Sequence, residues 1–142
     1  MDIFAALRSD HEKQRLLMKM LVETTGDSAS RRDFFIDLKQ QLTQHSLAEE
    51  RYFYAPLMQL DSTIELARHA IAEHHEIDEF LAQLEQTDMD SPAWLKIMKS
   101  LQHKVLHHLA EEEREFFQQA GKNLSATEKT DLAVQYQAEM SH

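Results

Sequence analysis

Shifted by 63 residues, the first half of this 142-residue chain lies on the second without a gap. Asp10-His11 falls on Glu73-His74, Leu21 on Leu84, Leu38 on Leu101, His45 on His108, Glu49-Glu50-Arg51 on Glu112-Glu113-Arg114 and Phe53 on Phe116. Two copies of one pattern predict two copies of one local structure. Two units are too few for an open solenoid, whose repeats need neighbours to cover their apolar faces, so a closed pair is expected.

Within each unit the apolar positions advance by three and four. They run Phe4, Leu7, His11, Gln14, Met18, Leu21 and then Phe35, Leu38, Leu42, His45, Glu49, Tyr52 in the first half. The second half has Ala70, His74, Ile77, Leu81, Leu84 and then Trp94, Met98, Leu101, Val105, His108, Glu112, Phe116. Such steps stack side chains along one stripe of a helix. Two glycines and two prolines in the whole chain leave a turn-rich sheet protein almost without turn residues. Breaks fall at Thr24 to Ser28, Pro56 to Thr63, Thr87 to Pro92 and Gly121 to Ser125. Short connections make neighbours antiparallel, which predicts an all-α, up-down-up-down four-helix bundle. The expected organisation is one domain over residues 1–142, built from helical hairpins at residues 1–60 and 61–121. Ser125 with Glu128 reads as a capping box opening a short C-terminal helix from Ala126 to Met140.

Fifteen Lys and Arg stand against 25 Asp and Glu, a net charge of −10 with histidine neutral. That charge repels a nucleic-acid duplex or an anionic membrane surface, so neither is an expected partner. The absence of cysteine removes disulfides, thiolate chemistry and cysteine-ligated metal sites. No basic leader followed by a long apolar core opens the sequence, and no apolar run is long enough to span a bilayer, so a cytoplasmic protein is expected. Nine histidines are the unusual part of the composition.

His45 and Glu49 are four residues apart, as are His108 and Glu112, so each pair shares one helix face. His11 and His74 stand on the apolar stripes of the other two helices. The interior is thus interrupted by four imidazoles and two carboxylates. Buried carboxylates close together are costly unless a positive charge lies between them, and no Lys or Arg falls on the stripes at that level. Two bridging carboxylates and two imidazoles per ion suit a pair of divalent cations with positions left open. Iron, zinc and manganese all accept this donor set. The bland alternative is a set of core polar groups bonded only to each other; six ligand-type residues at matched levels of a repeat favour the cations. Ferritin-like Glu-x-x-His on inner helices is absent, its one literal match being Glu139 with His142 at the terminus.

Asp10-His11, His45-Ser-Leu-Ala-Glu49-Glu50, Glu73-His74 and His108-Leu-Ala-Glu-Glu112-Glu113 resemble the hemerythrin-like HHE cation-binding domain over nearly the whole chain. The resemblance implies a four-helix bundle holding two iron ions, oxo- or hydroxo-bridged, that meet O2, NO or peroxide, with zinc or manganese as substitutes. By position, His11, His45, His74 and His108 are then terminal ligands, and Glu49 and Glu112 bridge. The oxygen carriers of the family place a second histidine one turn before the position of His74, where this chain has Ala70. Four histidines with two glutamates look more like the iron-centre repair and stress-linked members, although the cysteine-bearing N-terminal domain of the repair proteins is not in this sequence. The expected function is a di-iron protein that binds, senses or reduces a small ligand; the alternative is an iron storage, donation or repair module.

Glu50 and Glu113 recur in both halves and are expected to accept from metal-bound imidazoles. His75, His107 and Glu111 fall off the stripe, His69 is expected to point elsewhere, and His103 with His107 is read as a solvated pair, since its counterparts are Gln40 and Gln44. Phe53, Phe116, Trp94 and the methionines are expected in the core.

Overall fold

A computed structural model describes residues 1–141; His142, and with it the Glu139–His142 spacing, lies outside the described residues. The long helices are α1 (Ile3–Val22), α2 (Ala29–Glu49), α4 (Ile64–Glu85) and α5 (Pro92–Glu111), with α7 (Ala126–Met140) after them. Short helices α3 (Ala55–Leu57) and α6 (Phe117–Asn123) prolong α2 and α5 through π-helical turns at Glu50–Tyr54 and Glu112–Phe116. The bundle closes as a ring, since α1 packs on α2 and α5, and α4 packs on α5 and α2. Helix α7 lies along α1 and α2.

Side-chain caps set the starts of α1, α2, α5 and α7. Asp2, Ser28 and Ser91 cap α1, α2 and α5 by accepting backbone N–H groups that no earlier turn can serve. Ser125 and Glu128 form the expected reciprocal capping box. Gly26, at φ +57°, makes the left-handed step between α1 and α2 that a side chain would strain. The far end is closed by Arg31, which donates to Met89 O and Thr24 O and lies 4.7 Å over the Trp94 ring. That buried guanidinium ties the α1–α2 turn to the α4–α5 turn.

Burial follows the stripes. His11, Gln14, Met18 and Leu21 of α1 and the whole expected set on α4 and α5 are buried, with Phe4 partly so. Two departures stand out. Tyr52 is only half-buried, while Phe53 and Tyr54 are fully buried. The π turn is the reason: its i→i+5 bonding gives one more residue per turn and rotates the stripe onto the next positions. The methionines are not a core set, because only Met18 and Met98 are buried and Met1 is exposed. Phe53, Phe116 and Trp94 are core, as expected.

The apolar interior is in two parts. One contains Leu7, Phe53, Leu57, Phe116, Phe117 and Tyr136; the other contains Met18, Leu38, Leu81, Trp94, Met98 and Leu101. The polar layer lies between them.

Candidate metal centre

All six candidate ligands lie in that layer, each 0–3% exposed. His11 comes from α1, His45 and Glu49 from α2, His74 from α4 and His108 from α5; Glu112 opens the second π turn. Their inward atoms converge. His45 Nε2 and His74 Nε2 lie 3.3 and 3.2 Å from Glu49 Oε1. His11 Nε2 is 3.3 Å from Glu112 Oε1, and His108 Nε2 is 3.6 Å from Glu112 Oε2. Each carboxylate thus faces a ring from either half of the chain. Bonds of about 2.0–2.2 Å to one cation put neighbouring donor atoms roughly 3.0–3.5 Å apart, close to these separations. Two candidate ligand groups, His11–His45–Glu49 and Glu49–His74–His108, share Glu49.

The outer nitrogen of every ring is held. His11 Nδ1 donates to Glu113 at 2.7 Å and His74 Nδ1 to Glu50 at 3.0 Å. His108 Nδ1 donates to Glu73 at 2.9 Å. His45 Nδ1 donates to the Tyr136 hydroxyl at 2.5 Å, which donates onward to Asp10 Oδ2. With the hydrogen fixed on Nδ1, the lone pair of Nε2 faces the centre. Asp10 and Glu73 are repeat partners, and the shorter Asp10 reaches its ring only through the phenol of α7.

Within the layer, His11 Nε2, His45 Nε2, His108 Nε2, Glu49 Oε2 and Glu112 Oε1 have no hydrogen-bond partner. Buried polar atoms without partners are costly and rare, and here they aim at one place. This donor set fits a pair of cations. Tyr54, unforeseen from spacing, also enters: its hydroxyl is 2.8 Å from Glu49 Oε1, against Glu112 Oε2, and 3.4 Å from His74 Nε2. At 100° per residue Tyr54 would stand about 140° round α2 from Glu49; the π turn brings it into line.

The charges show what the layer asks for. Burial raises the Glu112 carboxyl and the Glu49 charge raises it further, so with no cation between them the two resist ionising together. Burial would lower the His74 imidazole, but hydrogen bonds to Glu49 and Glu50 hold it up at about 10. His11 is likewise raised against its burial by Glu112, Glu113 and Glu49. Burial would raise Glu73 and Glu113, yet contact with His108 and His11 respectively holds each at about 2, ready to accept. Protons on imidazole supply positive charge that a cation supplies better.

The sequence pattern of the hemerythrin HHE cation-binding domain matches residues 2–120, from the cap of α1 to the end of the bundle. This chain belongs to that family. The HHE domain-containing protein from Mycobacterium kansasii has the same fold, with a TM-score of 0.88 at 22% identity over 99% of this chain and 86% of that one. A DNA nickase from Nostoc sp. is 24% identical over 141 residues, and this HHE chain spans 40% of its length. An HHE domain binds metal cations, and the clusters above are the His/Glu groups suited to them.

A narrow pocket lined by Leu66, Ala70, Phe116, His69, Glu73 and Glu111 reaches His108 and Glu112. Its volume is about 10 Å³, near the room one water molecule needs. Ala70 sits in its wall, where the oxygen carriers are expected to place a histidine. His69, expected to point elsewhere, is 54% exposed but stands at this mouth with Nε2 facing Glu111 and Glu73. His75, His103 and His107 are exposed. No helix among the described residues is long and apolar enough to cross a membrane.

Proposed function

We propose that this HHE protein holds two iron ions through His11, His45, His74, His108, Glu49 and Glu112 and uses them to bind, sense or reduce O2, NO or peroxide. The observation that carries the reading is the convergence of five partnerless polar atoms on one buried point. A di-iron pair supplies one-electron changes and open positions for a small ligand. The chain's own residues do the rest. Glu113, Glu50 and Glu73, with Tyr136 and Asp10, fix the four rings by their outer nitrogens. Phe53, Phe116 and Phe117 keep bulk water from one side, and Leu38 and Val105 belong to the apolar packing beyond the other. Tyr54 holds a proton on its hydroxyl beside Glu49 and Glu112, and burial with those two charges raises it well above an ordinary phenol. The pocket past Ala70 leads to His108 and Glu112 and, with room near that of one water molecule, excludes large substrates.

Storage and donation are supported less well, because ions held between two apolar packings leave slowly. The nickase likeness covers 40% of that protein, and a net charge of −10 repels a polyanion, so nucleic acid is not part of the proposal. The test is metal analysis joined to an optical spectrum before and after reduction and on adding NO or azide. Near two irons per chain with a spectrum that responds to both treatments is expected; a protein that takes up no iron, or a spectrum indifferent to every small ligand, refutes it.

A further inference from the structure

A second group of ligand-type side chains stands where the pocket meets solvent. His69 Nε2 lies 3.1 Å from Glu111 Oε1 and 3.5 Å from Glu73 Oε1. His107 Nε2 lies 3.0 Å from the other Glu111 oxygen and steadies that carboxylate. These gaps again match neighbouring donors on one cation at bonds of about 2.0–2.2 Å. One donor from each of His69, Glu73 and Glu111 can meet at a point, while His69 remains 54% exposed and open to solvent. Ordinary surface ion pairing would produce pairs; here one carboxylate lies between two rings and a second closes on the first ring.

Position adds an independent observation. His69, Glu73 and Glu111 line the mouth of the pocket whose inner wall is His108 and Glu112. Glu73 belongs to both ends, because the oxygen facing His69 also accepts from His108 Nδ1. Lys104 lies 3.4 Å from the other Glu73 oxygen. Its charge opposes a cation there, so ions held at this point bind weakly and leave easily.

We propose that His69, Glu73 and Glu111 form an outer divalent-cation site through which metal ions enter the pocket and pass to His108 and Glu112. The role as entry rests on the buried centre proposed above; binding at the outer site does not. An ion arriving from water meets one imidazole and two carboxylates and sheds part of its hydration against fixed donors. It then has donors of the same kind deeper in the same pocket. Carboxylate and imidazole suit ferrous, zinc and manganous ions alike.

The test uses the full chain stripped of metal, with the double variant His69→Ala, Glu111→Gln, which leaves all six buried candidates intact. Zinc binding is measured by equilibrium dialysis, and anaerobic ferrous uptake into the buried centre by rapid mixing and metal retained on gel filtration; circular dichroism checks the fold. The variant is expected to bind one zinc ion fewer per chain. It should fill the buried centre more slowly than the unaltered protein, yet reach the same final content. Equal zinc binding and equal uptake rates overturn the outer site while leaving the buried centre standing. If the variant loses a zinc ion while neither protein retains ferrous ion inside, the role as entry is overturned and the buried-centre reading fails with it.

Discussion

Replacing Tyr136 with Phe removes a single oxygen from the layer around the candidate ligands. That oxygen accepts the His45 Nδ1 hydrogen at 2.5 Å and donates to Asp10 Oδ2, with Tyr136 itself 1% exposed. The variant keeps the ring's packing but strands a ring N–H and one carboxylate oxygen. Asp10 retains partial support, since its other oxygen lies 3.4 Å from Lys13 and 3.5 Å from Gln41. A stranded buried polar group costs about 1–3 kcal/mol, so the pair is expected to cost roughly 2–4 kcal/mol. For a chain of this size that lowers the melting temperature by roughly 5–15 °C. The same hydroxyl fixes the His45 lone pair toward the centre, and loss of such an acceptor typically weakens metal affinity by about 10–100-fold. Only one of the two equivalents should weaken, because His108 is held directly by Glu73. Calorimetry of the stripped protein and chelator competition on the loaded protein measure the two effects separately. A melting temperature lowered with both equivalents still held equally tightly would make Tyr136 a packing residue and refute the ring-fixing argument. No change in either would refute the burial argument as well.

Four further outcomes follow from the same geometry. His74→Ala should keep its helical circular dichroism and lose at least one metal equivalent, whereas full occupancy would remove His74 from the ligand set. Metal content should fall as pH drops through the imidazole range, since protons compete for the same nitrogens; content unchanged at about pH 5 would exclude histidine ligation. The stripped protein should behave oppositely: His74 is raised to about 10 from 6.5 in the folded state, so its contribution is full below about pH 6.5 and is lost as pH rises toward 10, which thermal melts across that window will show. Ala70→Val narrows the pocket beside His108 and Glu112, so azide or NO association on the loaded protein should slow while metal content is unchanged, and an unaltered rate would mean that ligands enter elsewhere.

Much of the bundle was legible because its information is local. Steps of three and four mark which face of each helix turns inward, and Ser125 with Glu128 marks the start of α7 to the residue. The six polar interruptions were legible for the same reason, since a carboxylate on an apolar stripe contradicts burial unless something compensates it. Glu50 and Glu113 could be singled out because both halves of the repeat carry them, and each contacts a ring of the opposite hairpin. Tyr54 was hidden by the assumption of one helical period, which the π turn breaks. The same assumption places Tyr52 inward, where the structure leaves it half-buried. A phenol five residues after a stripe carboxylate, with Pro56 just beyond it, was the available signal.

Helical period, charge and the 63-residue repeat therefore determined that four amphipathic helices would enclose imidazole and carboxylate at one level. Tertiary packing alone decided which acceptor holds each ring, that Tyr136 of α7 spans the gap left by the shorter Asp10, and that His69 meets Glu111 at the pocket mouth. The physical reason is range. Periodicity is written by neighbours a turn apart, whereas these contacts join residues up to 126 positions distant, and their partners are chosen by how helices lie against one another.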